Sequence, residues 1–403
     1  MFVNDPIHGF IELNELQSSL LELPELQRLQ WIKQLGLSFL SYPGGAHTRA
    51  CHVIGVSHVA GLMADTLDLL PEQKWMVQAA GMLHDVGHTP FSHALESLLP
   101  EDHMELTRNI ITGRARYTFP RAGWIPEMLR RYGLDPEEVG DLVTGDHPDP
   151  ILQHVIHGPI DADQLDYLLR DSYFTGIAHG NIDLYRILHT LKPDRGIGGL
   201  ILLEKGIDAI EEMLVARDHM YSAVYAHRTG RIAETMLLRA MELAVSSIEG
   251  WYEMTDGELL ARLRVAGGVS AELIDKIQYR DLYKTAFSVA SRGEAQLRAA
   301  LTETVGAQGR QEVEALLTER CGFGPGALLV DMPVDVLAFS EPRLKRVELS
   351  VLRKNGERVD LYELSTLARA LAEKESSHTV FAVYTDPENR DRARAVTETW
   401  LGL

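Results

Sequence analysis

Apolar positions recur with helical spacing over most of the first 320 residues. Leu26, Leu29, Ile32 and Leu35 follow Pro24 and predict a helix that opens at that proline and stops at Gly36. Val53, Val56, Ala60 and Met63 mark one face of a second helix, with His52 at its start. Trp75 to Leu83 is apolar enough for a buried helix, and Pro90 predicts its end soon after His88. Helical spacing continues over Glu96 to Arg108, Ile160 to Asp171, Ile207 to Ala244 and Leu259 to Ala315, broken at Gly267-Gly268 and Gly306. Gly133 to Pro150 reads as a loop-helix insertion. The exceptions are Asn4 to Leu13, an arm or a single strand, and Leu200 to Leu203, a short strand.

The pattern changes near Gly322 to Gly326. Beyond it, Val347 to Leu352 and Val359 to Leu364 alternate apolar with polar around Asn355-Gly356, a hairpin signal. Thr379 to Tyr384 predicts a third strand, and Thr366 to Glu375 and Asp391 to Trp400 predict helices. The expected fold is mainly α: a helical domain over 1–325 and a small α+β lobe over 326–403.

Composition narrows the class. Apolar residues make up 45% of the 403 and charged residues 24%, ordinary globular usage. Cys51 and Cys321 are too few for a disulfide framework, which fits a reducing cytoplasm. No apolar run approaches the roughly 20 residues needed to span a bilayer. The net charge of −19 disfavours binding nucleic acid over a broad surface. A small anion beside a cation remains allowed.

That exception matters because Ala80 to His93 gathers His84, Asp85, His88 and His93. On a helix His84 and His88 lie one turn apart, with Asp85 rotated by about 100°. The plain alternative is a hydrogen-bonded core pair with polar groups at a helix end. Buried carboxylates are rare unless paired or metal-bound, and the extra histidines favour a metal site completed by other helices. His52 and an aspartate of Ile160 to Asp171 are the candidates. Such a nitrogen and oxygen set suits Fe, Mn, Zn or Ni better than Mg.

His52, His84-Asp85 and Asp163 match the H…HD…D signature of HD-domain phosphohydrolases. The segments NDPIHG, LQRLQWIKQLG, AGMLHDVGHTPFSH, DADQLDYLLRD and IQYRDLYK, in that order from Asn4 to Lys284, resemble one branch more closely. That branch is the deoxynucleoside triphosphate triphosphohydrolases of the sterile-alpha-motif and HD-domain type. The resemblance implies hydrolysis of dNTPs to deoxynucleoside and triphosphate, with one divalent transition metal on His52, His84, Asp85 and Asp163, and with Mg accompanying the nucleotide. Asp161 and Asp166 are the structural controls in that segment. His93 with Glu96 is implied as the general acid pair, a role an imidazolium held by a carboxylate can fill near neutral pH. His88 and His103 are implied phosphate contacts, His103 being the second choice as acid.

By the same resemblance Arg49 and Arg217 clamp phosphates. Gln34, Tyr167 and Asp171 surround the sugar 3′-hydroxyl, and Leu35 and Tyr225 form the wall against a 2′-hydroxyl. Gln164 stands where the family often has lysine, and Cys51 where it commonly has glutamate. Asn4, Gln27, Arg280 and Lys284 match regulatory nucleotide positions. Gln30 replaces the arginine of guanine-activated members and Glu22 an aspartate, so the activator stays open. A homo-dimer or homo-tetramer is implied. Two other readings keep the same ligands: a nucleotide phosphomonoesterase or phosphodiesterase, and a nucleotide sensor without turnover.

Overall fold

The computed structural model describes residues 1–290, 309–332, 348–374 and 379–403. Its core is helical, and the Arg49–Thr66 helix runs through the middle of it. That helix buries Val53, Val56, Ala60 and Met63, the face the spacing predicts, and also Val59, Ala64 and His52. The Pro71–Leu83 helix packs along it through Val77, Ala80 and Met82. The Ala162–Thr175 helix, capped by Asp161 accepting from the Gln164 amide, closes the other side with Leu165 and Leu168.

Several elements depart from the expectations. Asn4 to Leu13 is not a lone strand but belongs to an antiparallel hairpin, β1 (Phe2–Asp5) with β2 (Gly9–Glu12). The helix at Pro24 ends at Arg28, passes into a 3-10 turn over Leu29–Trp31, and does not reach Gly36; Ile32 is extended and Lys33 bridges Thr48. The helix before the His-Asp pair ends at Leu83, well before Pro90, with His84 at its cap. His84 and His88 therefore do not share a helix face. Ile207 to Ala244 is not continuous: Ile207–Met220 is followed by a π turn at Tyr221–Tyr225, and a new helix covers Arg228–Ala244.

Beyond the Gly268–Gln278 helix, Lys284–Ala290 is strand β5 rather than helix. Positions 291–308, Val347 and Glu375 lie outside the described residues. Leu200 to Leu203 falls in β4 (Gly199–Leu203), which pairs antiparallel with β3 (Leu191–Asp194) and parallel with β7 (Ser350–Leu352). β7 pairs with β8 (Arg358–Asp360) around Asn355-Gly356, as the hairpin signal predicts. The second arm is shorter than expected, since Leu361–Leu364 is helical. β9 (Thr379–Thr385) lies between β5 and β6 (Leu328–Asp331) in a separate sheet. Helices Arg310–Cys321 and Arg390–Leu401 bury Val313, Leu317 and Ala393 against it. The β4–β7 and β5–β9 pairings both cross position 326.

Candidate active site

Three segments deliver the chemistry to one place. His52 sits one turn into the Arg49–Thr66 helix, His84 and Asp85 on the turn after Leu83, and Asp163 in the first turn of Ala162–Thr175. His52 Nε2 is 3.0 Å from Asp163 Oδ1 and 3.9 Å from Asp85 Oδ2. His84 Nε2 is 3.2 Å from Asp85 Oδ1 and 3.9 Å from Asp163 Oδ1. The second nitrogen of each ring is already committed. His84 Nδ1 donates to the Gly81 carbonyl at 2.9 Å, and His52 Nδ1 to Asp166 Oδ2 at 2.8 Å. Each Nε2 is thereby turned inward, the arrangement that supports a metal-ligating imidazole. One donor atom each from His52, His84 and Asp163 fall within 4.8 Å of one another, close enough for a single ion.

The electrostatics fit a cation. Burial would lower the pKa of His52, but hydrogen bonds and charge from Asp163 and Asp166 outweigh it and raise it to about 10. Burial would raise that of Asp85, and Arg49, His84 and His88 hold it well below the usual carboxylate range instead. Asp163, whose side chain is 28% exposed, leaves one side of the cluster open to an incoming group.

Asp166 is more than the structural control it was expected to be. It accepts from His52, from His8 Nε2 at 2.7 Å, and from Nε and Nη2 of the fully buried Arg170 at 2.8 and 2.9 Å. Arg170 Nη1 in turn reaches Asp5 Oδ2 at 2.8 Å. The β1–β2 hairpin is thus tied directly to the ligand cluster. Gly55 makes room for this: a Cβ there would lie 2.0 Å from Asp166 Oδ1 and 2.3 Å from Arg170 Nη2.

A tight turn carries the other histidines. Phe91 and Ser92 both take left-handed φ values, +59° and +58°. The Phe91 amide donates to Asp256 Oδ1 at 2.7 Å, the Gly87 amide to Thr107 Oγ1 at 2.9 Å, and Arg28 Nη1 to the His88 carbonyl at 2.9 Å. These clamps put His93 Nδ1 at 2.8 Å from Glu96 Oε2. His103 Nδ1 makes a short contact with Glu96 Oε1, and its ring stacks on His88 at 4.0 Å. Burial would raise the Glu96 pKa, yet the hydrogen bonds from His103 and His93 hold it far below the ordinary range. Burial, with the charges of Arg49 and His103, pushes His88 well down, so it is neutral near pH 7. His88 Nε2 lies 3.2 Å from Asp85 Oδ1, which joins this group to the ligand cluster.

Arg49 pairs with Asp85 in a short contact, and its Nε donates to Ser92 Oγ at 2.8 Å. Arg217, from the Ile207–Met220 helix, is buried rather than on the surface and donates to Gln164 Oε1 at 3.2 Å. Tyr225, on the π turn, donates its hydroxyl to Asp171 Oδ2 at 2.7 Å, and its ring meets that of Tyr167 edge-on. Leu35 is partly buried beside the main core. His47, which the sequence reading missed, holds Asp171 Oδ1 at 2.9 Å. Among the described residues nothing pairs with the buried Gln34 Oε1 or His47 Nδ1. Such orphan buried atoms point to a polar ligand group.

Asn4, Gln27, Arg280 and Lys284 are all exposed. Gln27 Nε2 donates to the Leu21 carbonyl at 2.7 Å and Arg280 Nε to that of Leu40 at 3.0 Å. Arg280 has a left-handed φ of +59°, and Lys284 opens β5.

Two imidazoles and two carboxylates brought together in one helical core form a mixed nitrogen and oxygen donor set that suits a transition-metal ion. Residues 49–170 match the HD domain, and residues 182–403 match the HD-associated region. The chain belongs to the HD-domain family that carries this associated region. An uncharacterized protein of Methanocaldococcus jannaschii, MJ1154, is 37% identical over 70% of this chain and 58% of its own. Human deoxynucleoside triphosphate triphosphohydrolase SAMHD1 is 26% identical over 81% of this chain and 59% of its own. The chain therefore spans less than two thirds of these curated relatives. A solved phosphohydrolase of Bacteroides thetaiotaomicron superposes with a TM-score of 0.72 at 26% identity, covering 96% of this chain and all of the other. Among the described residues no helix is long and apolar enough to cross a membrane.

Proposed function

We propose that the protein hydrolyses deoxynucleoside triphosphates to deoxynucleoside and inorganic triphosphate. The observation that carries this reading is the unbroken run of contacts from Glu96 through His103, His88 and Asp85 to His84, Asp163 and His52. It joins a proton-donating pair to a cation site, with guanidinium groups beside it.

His52, His84, Asp85 and Asp163 would hold the ion, with Mn, Fe, Zn and Ni as the candidates for that donor set. When bound, such an ion supplies Lewis acidity toward a phosphoryl oxygen and toward water. Arg49 exchanges its contact with Asp85 for the α-phosphate, and Arg217, steadied by Gln164, faces the remaining phosphates, with Mg accompanying them. His88 and His103 contact phosphoryl oxygens. His93, oriented by Glu96, delivers its proton to the leaving 5′-oxygen. Gln34, Tyr167 and Asp171 receive the sugar 3′-hydroxyl, and Leu35 with Tyr225 leave no space for a 2′-hydroxyl.

The proposal extends to a cytoplasmic homo-dimer or homo-tetramer with a regulatory nucleotide near Asn4, Gln27, Arg280 and Lys284. It rests there on the sequence resemblance. The test of the activity is to incubate the full chain with each dNTP and each candidate ion and to separate the products. Intact triphosphate and deoxynucleoside are expected. Pyrophosphate or orthophosphate alone would point to another phosphohydrolase, and tight dNTP binding without turnover to a sensor.

A further inference from the structure

Glu96 serves two imidazoles at once. Nδ1 of His93 donates to Oε2 at 2.8 Å, and Nδ1 of His103 makes its short contact with Oε1. A carboxylate on one ring nitrogen leaves the lone pair on Nε2 and makes that nitrogen a better ligand, the usual support behind a metal-bound histidine. His88 completes a triangle, its ring centroid 4.0 Å from that of His103 and 4.8 Å from that of His93. One donor nitrogen from each of the three lies within 4.8 Å of the other two.

We propose that His88, His93 and His103 form a second metal site, for a borderline transition ion such as Zn(II), and that filling it inhibits the enzyme. Zinc–nitrogen bonds of about 2.0–2.1 Å call for ligand nitrogens about 3.4 Å apart in a tetrahedron. The His93 side chain is 52% exposed and free on its outer side to make that adjustment. Three imidazole nitrogens without a carboxylate discriminate against Mg and Ca in favour of a borderline transition ion. The two positions are electrostatically coupled through Asp85, whose Oδ1 is 3.2 Å from both His84 Nε2 and His88 Nε2. A cation in the first site therefore weakens the second, and the sites fill in sequence as the ion concentration rises. The inhibitory part rests on the reading of His93 as proton donor, because a coordinated Nε2 has no proton to give. The binding part stands without it.

The metal-stripped 403-residue chain titrated with Co(II), followed by visible absorption and metal content, tests the site. The wild type takes up two equivalents. His93→Gln and His103→Gln keep the first and weaken the second at least tenfold, whereas His52→Gln loses the first and keeps the second. His93 is half-exposed, so its variant retains the fold, which circular dichroism verifies. A single equivalent in the wild type, or an unchanged second equivalent in both His93→Gln and His103→Gln, overturns the site. Zn(II) beyond the first equivalent lowers turnover; full turnover with both sites filled overturns the inhibitory role. Failure to hydrolyse any nucleotide at one equivalent would count against the triphosphohydrolase reading, and the absorption titration would still decide the second site.

Discussion

Asp166 accepts the Nδ1 hydrogen of His52 at 2.8 Å and thereby aims the other ring nitrogen at Asp163, 3.0 Å away. The imidazole is oriented by a residue that itself has no room to move, being held by Arg170 and His8. Asp166→Asn is expected to weaken metal affinity by about 10–100-fold. Competition against a calibrated chelator measures this, and wild-type affinity in the variant would refute the orienting role. The loss of a buried charge partner for Arg170 is expected to cost about 3–5 kcal/mol of stability as well.

Gly55 tests the same network from the backbone side. A methyl group at this position would overlap Asp166 and Arg170, whereas nothing lies within 4 Å of a Cβ on Gly257. Gly55→Ala is expected to destabilise by about 1–3 kcal/mol or more, through overpacking and the displaced ion pair. Gly257→Ala should leave the urea midpoint nearly unchanged. Equal midpoints for the two variants would show that the network relaxes freely.

Glu96 gives stability a pH dependence. Its folded pKa is depressed below the ordinary 4.5, because the hydrogen bonds from His103 and His93 outweigh burial. A depressed carboxylate contributes stability that is fully present above the unfolded value and is lost as pH falls toward the folded one. The wild type should therefore lose more stability than Glu96→Gln as pH is lowered from about 5. Parallel urea-midpoint profiles for the two proteins would remove Glu96 from this account.

On the proposed function, Tyr225 bears on substrate choice. Its hydroxyl is fixed on Asp171, and Asp171 is fixed from the other side by His47. Tyr225→Ala should admit a ribose and lower the preference for dNTP over NTP, read as the ratio of kcat/KM values, by about 10–200-fold. An unchanged ratio would mean that the ring does not line the sugar pocket.

The helical character of the chain and the gathering of His52, His84, Asp85 and Asp163 into one cluster were legible because both leave local traces. Val53, Val56, Ala60 and Met63 are buried on one face, as their spacing predicts, and His84-Asp85 is adjacent in sequence. What could not be read depends on partners far along the chain. Lys284–Ala290 is a strand because β9 lies beside it, nearly a hundred residues later. His8 reaches Asp166 across 158 positions, and no periodicity marks that pair. Pro90 misled the placement of the helix end, which falls at Leu83. The left-handed turn at Phe91 and Ser92, held by Asp256, has no glycine to announce it.

Hydrolysis in oxygen-18 water tests the central claim most directly, since attack at the α-phosphorus must place the new oxygen on the triphosphate. Mass spectrometry of the products from metal-loaded enzyme and dNTP should find one labelled oxygen in inorganic triphosphate and an unlabelled deoxynucleoside. Label in orthophosphate or pyrophosphate, with the nucleotide shortened from its outer end, would contradict the account.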